Sequence, residues 1–170
     1  LQLAALSMRE REDVRDFLEG FSGKHRYILD YLLEEVLARE SETVQDFLLQ
    51  TAILTRLTGP LCDAVTGTSG GQEMLEALEQ CNLFIIPLDD ERGWYRYHHL
   101  FADLLQARLY QSGPERVAQL LSRASEWCEQ EGQITEAVDY ALAAQAYPRA
   151  SNLILRYWHL LAGAGQIQTV

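Results

Sequence analysis

The stretch Leu83 to Tyr97, LFIIPLDDERGWYRY, decides the fold. Its first half is a short apolar run of strand type. Pro87 within it points to an edge position, where a missing N–H costs no ladder bond. Asp89-Asp90-Glu91-Arg92-Gly93 is polar and turn-rich, and Trp94-Tyr95-Arg96-Tyr97 alternates on the far side. Together these pieces predict a β-hairpin set in an otherwise helical chain.

Upstream of the hairpin the apolar period is that of helices. QEMLEALEQC (72–81) aligns Met74, Leu75 and Leu78, and TGTSGG before it reads as a loop. GPLCDAV (59–65) opens on Gly59-Pro60, with Pro in the first turn. TVQDFLLQTAIL (43–54) is apolar on so many sides that it predicts a buried central helix, with Ser41 as N-cap and Glu42 in the first turn. Three helices followed by a hairpin are the layout of a winged-helix domain over residues 41–112. Residues 9–40 predict two further helical segments, with Val14, Phe17, Leu18 and Phe21 on one face and Ile28, Tyr31, Leu32 and Val36 on the next.

Downstream, from Pro114, the stripes are clean. Val117, Leu120, Leu121, Ala124, Trp127 and Cys128 form one; Ile134, Ala137, Val138, Ala141 and Leu142 the next; Ala150, Leu153, Ile154, Tyr157 and Leu161 a third. Breaks are expected at Glu131-Gly132 and Tyr147-Pro148, short enough to make neighbouring helices antiparallel. Small residues recur where helices must approach closely, at Ala124, Ala137, Ala141 and Ala144. A-x-x-W, then Gly, then E-A-x-x-Y-A-L-A-A has the texture of a tetratricopeptide-like helical hairpin, the alternative being a small three-helix appendage. The fold class is therefore mainly α: a helical segment, a winged helix with one β-hairpin, then an antiparallel helical-repeat array.

Charge narrows the function. The chain of 170 residues carries a formal net charge of −11, and only one of its fourteen basic residues is Lys. A winged helix that reads DNA needs Arg, Lys, Asn or Gln on its third helix. Here that helix carries Glu73, Glu76 and Glu79 and no basic residue, and residues 41–110 hold four Arg against ten Asp or Glu. Direct contact with nucleic acid is not expected. Cys62, Cys81 and Cys128 are odd in number and widely spaced, which argues against a disulfide framework or a Cys-based zinc site and predicts buried free thiols. No apolar run is long enough to span a bilayer, and a reducing cytoplasm is the expected compartment.

The hairpin runs on into WYRYHHLFADLL, where His98 and His99 stand at the change from strand to helix. Leu100, Phe101, Leu104, Leu105 and Leu109 make the apolar stripe of that helix. At about 100° per residue, His98 falls at the stripe's margin and His99 nearly opposite, towards solvent. Adjacent helical residues diverge, so a shared metal is not expected. At a helix start, unpaired N–H groups and the positive end of the dipole favour a neutral imidazole. Two roles stay open for His98: a junction residue and nothing more, or a neutral donor to a phosphate. No nucleophile, base or P-loop pairs with these histidines, so no catalytic residue is expected. Trp94, Tyr95 and Tyr97 suggest either a ligand cage or cross-strand packing, and packing is the commoner use.

The runs LQLAALS, GKHRYILDYLLEEVL, VQDFLLQTAILTRLTGPLCDAVTG, LEALEQCNLFIIPLDDERGWYRYHHLFADLLQARL and RASEWCEQEGQITEAVDYALAA cover nearly the whole chain. In this order they resemble the large ATP-binding, MalT-like regulators of the LuxR family, signal-transduction ATPases of the STAND class. The resemblance implies a middle segment of a longer polypeptide. Residues 1–40 would end the helical domain of the ATPase module, 41–112 would be the winged helix, and 113–170 would begin a helical-repeat sensor arm. It implies ADP or ATP as the cofactor of the full-length protein, none for this segment alone, and His98 as the nucleotide-binding residue, touching the β-phosphate of ADP. His99 stands where relatives of the wider class often carry Asp, and Gln2 where many carry a proline near the adenine.

The partners it implies are the nucleotide-binding domain of the same chain, an inducer or regulatory protein on the arm, and further copies on activation. Contact with membrane is not among them. Two rival readings are a free-standing helical-repeat interaction module and, against its charge, a DNA-binding winged-helix repressor.

Overall fold

A computed structural model describes residues 37–81 and 83–165. The helical segments expected within residues 9–40 lie almost wholly outside the described residues, as do Leu1 and Gln2. The described residues from Glu42 onwards form one compact unit. Its described elements are α1 (Glu42–Thr51), α2 (Gly59–Thr66), α3 (Gly71–Gln80), β1 (Ile85–Pro87), β2 (Tyr95–Tyr97), α4 (His99–Gln111), α5 (Pro114–Gln130), α6 (Ile134–Ala143) and α7 (Tyr147–Gly165).

The three helices and the hairpin form where the residue pattern places them, with one early stop. α1 ends at Thr51, not at Leu54, because the chain turns to bury Ala52, Ile53 and Leu54 in the core. Thr51 Oγ1 donates back to Phe47 O at 2.7 Å, a bond that competes with continued helix. α2 starts as predicted: the Thr58 hydroxyl accepts from the Leu61 N–H at 3.2 Å and Pro60 occupies the first turn. Gly67, at φ 75°, closes it in the left-handed conformation. α3 is tied to α2 by the Asp63 carboxylate, which accepts from the Gly71 N–H at 2.7 Å. The two helix starts meet at Gly59 and Gly71, where a Cβ on Gly71 would lie 2.7 Å from Gly59 O.

β1 and β2 pair antiparallel, with Ile85 opposite Tyr97, Ile86 opposite Arg96 and Pro87 opposite Tyr95. Both backbone groups of Tyr95 point the other way and bond Leu57: its N–H donates at 2.9 Å and its carbonyl accepts at 2.8 Å. Pro87 thus faces a residue that asks nothing of it, which is how the sheet tolerates a missing donor. The polar connection is closed by Asp89, whose carboxylate accepts from the N–H groups of Gly93 and Trp94 at 2.8 and 2.9 Å. Tyr95 and Tyr97 face inward and are buried, while Arg96 faces out.

From Pro114 the chain is helical, and α5 packs on α6 and α6 on α7. The first break lies at Glu131–Gln133 as expected. The second lies at Ala144–Ala146, slightly before Tyr147-Pro148: Gln145 takes φ 56°, and Pro148 sits in the first turn of α7, where its missing N–H costs nothing. α5 also packs against α2, where Arg123 donates to Val65 O at 2.9 Å. Ser125, fully buried on α5, joins three helices: it donates to Ala137 O of α6 at 2.7 Å and accepts from Arg149 Nε of α7 at 2.9 Å. Of the third stripe, Ala150 and Leu153 are buried, but Ile154 is exposed, with Tyr147, Leu155 and Trp158 also facing solvent. Among the cysteines the expectation fails at Cys81, which is exposed because it caps α3 beyond its apolar stripe. Burial pushes the thiols of Cys62 and Cys128 up to about 12 and about 11.

Candidate functional site

The junction of β2 and α4 is built from the inside out. Tyr97, the last residue of β2, is buried against α1, and its hydroxyl lies 2.7 Å from Thr51 Oγ1. The Thr51 proton is already given to Phe47 O, so Tyr97 is the donor of that bond. Phe101, one turn into α4, sets its ring 5.8 Å edge-on from Tyr97 and 5.1 Å from Phe84. Phe101, Leu105 and Leu109 carry the buried seam of α4, while Leu100 and Leu104 are half-buried at its margins.

Phe84 holds φ 53°, a left-handed conformation that a non-glycine residue rarely adopts. The ring contact with Phe101 holds it there, and the conformation is accompanied by a short bond from the His98 N–H to Phe84 O, 2.7 Å. His98 is the N-cap of α4, at φ −59° and ψ 134°, and its carbonyl accepts the first helical bond, from Ala102, at 2.9 Å. Its side chain makes no capping bond. The backbone of His98 is therefore fixed at both ends while the imidazole, half-buried, is left without that duty.

His99, the first residue of α4, is exposed as expected, but the two histidine rings do not diverge. Their centroids lie 4.4 Å apart at an interplanar angle of 35°. The physical reason is the extended ψ of His98: the 100° helical step applies only from His99 onwards, so the residue before it can lean its ring on the next. Burial, then the neighbouring His99 and Arg96, hold the His98 ring below the ordinary imidazole range, so it is neutral at neutral pH. A neutral imidazole carries one N–H that can donate, at a helix start whose free N–H groups favour an anion. Among the described residues no group of three His, Cys, Asp or Glu side chains gathers in a manner that could hold a metal. No helix among them is long and apolar enough to cross a membrane.

Periodicity gave no sign of the loop that supports this junction. Residues 52–58 join α1 to α2, and Gln106 of α4 donates to Ala52 O at 2.8 Å. Leu57 bridges to Tyr95 of β2, three residues before His98. Immediately before Leu57, the Thr55 N–H donates to Tyr140 Oη of α6 at 3.3 Å. Arg56 reaches Glu136 of α6 at 3.1 Å and stands 4.9 Å over the ring of Trp94. One loop thus touches both the helical array and the strand that leads into His98. Trp94 packs under Arg56 and the two tyrosines pack inward, so the three aromatics form no cage. The outer side of α3, with Glu73 exposed and Glu76 and Glu79 half-buried, carries acids throughout.

A family profile described as "MalT winged helix domain" matches residues 33–117. Over 154 residues, 91% of this chain, the sequence is 41% identical to the serine/threonine-protein kinase PknK of Mycobacterium tuberculosis. Over 161 residues, 92% of this chain, it is 32% identical to the HTH-type transcriptional regulator MalT of Klebsiella pneumoniae. The chain spans only 14% and 18% of the length of these relatives.

Proposed function

This chain belongs to the MalT winged-helix family, as a segment of a MalT-like regulator, and from that premise we propose that its winged helix senses ADP held by a nucleotide-binding domain elsewhere in the same polypeptide. His98 is the sensing residue: a neutral imidazole that donates to a phosphate and holds the regulator closed. The single observation that carries this reading is the division of labour at His98. Its backbone is fixed by Phe84 and Ala102, and its ring makes no capping bond.

The helices from Pro114 onwards act as the first part of a tetratricopeptide-like sensor arm. An inducer or regulatory protein binds the arm, ATP replaces ADP, and the regulator self-associates. The loop at residues 52–58 supports the relay, because it touches α6 at Thr55 and Arg56 and the His98 strand at Leu57. The segment itself neither hydrolyses nucleotide nor contacts DNA; those tasks fall to a signal-transduction ATPase module of STAND type and to an output domain, in the cytoplasm. In the full-length parent, His98→Ala should raise output in the absence of inducer. Output that stays at the resting level argues against the clamp.

The output is taken to be transcription through a LuxR-type helix-turn-helix. The 41% identity to a protein named as a serine/threonine kinase favours a second reading, in which the same sensing segment governs phosphoryl transfer. The coding sequence that flanks these residues decides between the two: a helix-turn-helix supports the first and a kinase domain the second.

A further inference from the structure

Glu129, at the end of α5, is shared by two guanidinium groups of α7: Arg149 Nη2 at 2.9 Å and Arg156 Nη1 at 3.5 Å. With Pro148, Asn152 and Leu153 these residues line an open groove of about 430 Å³. Arg149 is built in. Its Nε donates to the buried Ser125, which is itself bonded to α6, so its guanidinium plane is fixed by two helices. Arg156 is not: its side chain is 66% exposed, its contact with Glu129 is long, and its guanidinium lies 5.3 Å over the Tyr157 ring. The Asn152 side chain is exposed between them.

Two cations on one carboxylate leave one positive charge at the groove in a chain whose net charge is −11. We propose that this groove binds a carboxylate-bearing peptide segment of a partner protein, its acidic side chain completing the pair of guanidiniums with Asn152 as a neutral donor. Charge-assisted, forked bonds from Arg to carboxylate are the strong member of the hydrogen-bond family, and Arg149 is already oriented for one. The groove is open, so a small free acid would stay largely in water, whereas an extended segment can lie along it. At about 100° per residue, Arg149, Asn152 and Arg156 fall within a sector of about 60° on α7. The exposed Tyr147 and Ile154 lie about half a turn away, so an element packed on that apolar side leaves the groove open. The proposal rests on reading these helices as a partner-binding arm, and its test contains no nucleotide, so it stands or falls apart from the ADP clamp.

The test is fluorescence anisotropy of a labelled, capped hexaglutamate peptide titrated with the 170-residue chain, with hexaglutamine as control. Saturable binding of hexaglutamate alone is expected, weakening as salt is raised. Arg156→Gln should weaken it at least about fivefold, with an unchanged thermal midpoint because that side chain is mostly exposed. Binding that ignores Arg156→Gln, equal binding of hexaglutamine, or no saturation at millimolar chain would overturn the proposal. Displacement by free glutarate at matched carboxylate concentration would overturn the peptide assignment.

Discussion

Leu57 and Tyr95 exchange both backbone hydrogen bonds, at 2.8 and 2.9 Å, and this one bridge joins the loop after α1 to the strand that leads into His98. Both residues are fully buried. The loop's preceding residues, Thr55 and Arg56, hold α6, so the bridge lies on a path of contacts from the helical array to the junction.

If that link is one mechanical unit, its amides should open together. Native-state hydrogen exchange should give the N–H groups of Leu57, Tyr95 and His98 a common opening free energy. Arg56→Ala should lower it for all three by about 0.2–1 kcal/mol, since the Arg56–Glu136 pair is substantially exposed. A His98 amide that exchanges orders of magnitude faster than that of Leu57 would separate the junction from the loop.

The Thr51–Tyr97 bond beneath the junction has a defined direction, so its two partners should not cost the same. Tyr97→Phe removes a donor from a threonine that keeps its own bond to Phe47, at about 0.5–1.5 kcal/mol. Thr51→Val leaves a buried phenol with no acceptor, at about 1–3 kcal/mol. Urea unfolding of both single variants and the double variant should show the double costing less than the sum. Additive losses would mean that the bond contributes nothing.

Gly71→Ala should destabilise although it improves helix propensity. The propensity gain is about 1 kcal/mol at most. The new methyl would lie 2.7 Å from Gly59 O and 2.8 Å from Asp63 Oδ1, and overpacking against backbone costs about 1–3 kcal/mol. A fall in the urea midpoint, with an unchanged slope, is the expected result.

Much of this fold was legible because its signals are local. Gly59-Pro60 marks a helix start, the turn residues 89–93 mark a hairpin, and the stripes after Pro114 repeat at helical spacing. What escaped was non-local. The bridge at Leu57 is a single residue with no period to betray it, and α1 stops early because tertiary burial of residues 52–54 outweighs helical propensity. The contact between the His98 and His99 rings carries no signal in the helical period because His98 is extended, where helical geometry does not apply. His98 itself was picked out by its place at the junction and by resemblance; the freedom of its ring from capping could be seen only in the folded chain.

Burial holds the His98 ring below its ordinary value of 6.5, with His99 and Arg96 adding to the effect. The sign follows from linkage: the unfolded chain binds the proton more readily, so stability is full above about 6.5 and is lost as pH falls through the depressed folded value. Denaturant midpoints of the wild type and of His98→Asn, compared at neutral and mildly acidic pH, should show a steeper acid loss in the wild type. Equal losses would mean that the ring is not desolvated as described.

The central claim is that His98 holds ADP in the resting regulator. The most direct measurement is the release rate of a fluorescent ADP analogue from the full-length parent, chased with excess ADP, for wild type and His98→Ala. Loss of one buried, charge-assisted bond to phosphate should speed release by about tenfold to a hundredfold, the equivalent of about 1.5–3 kcal/mol. An unchanged release rate in a His98→Ala protein that is folded and binds ADP would contradict the account.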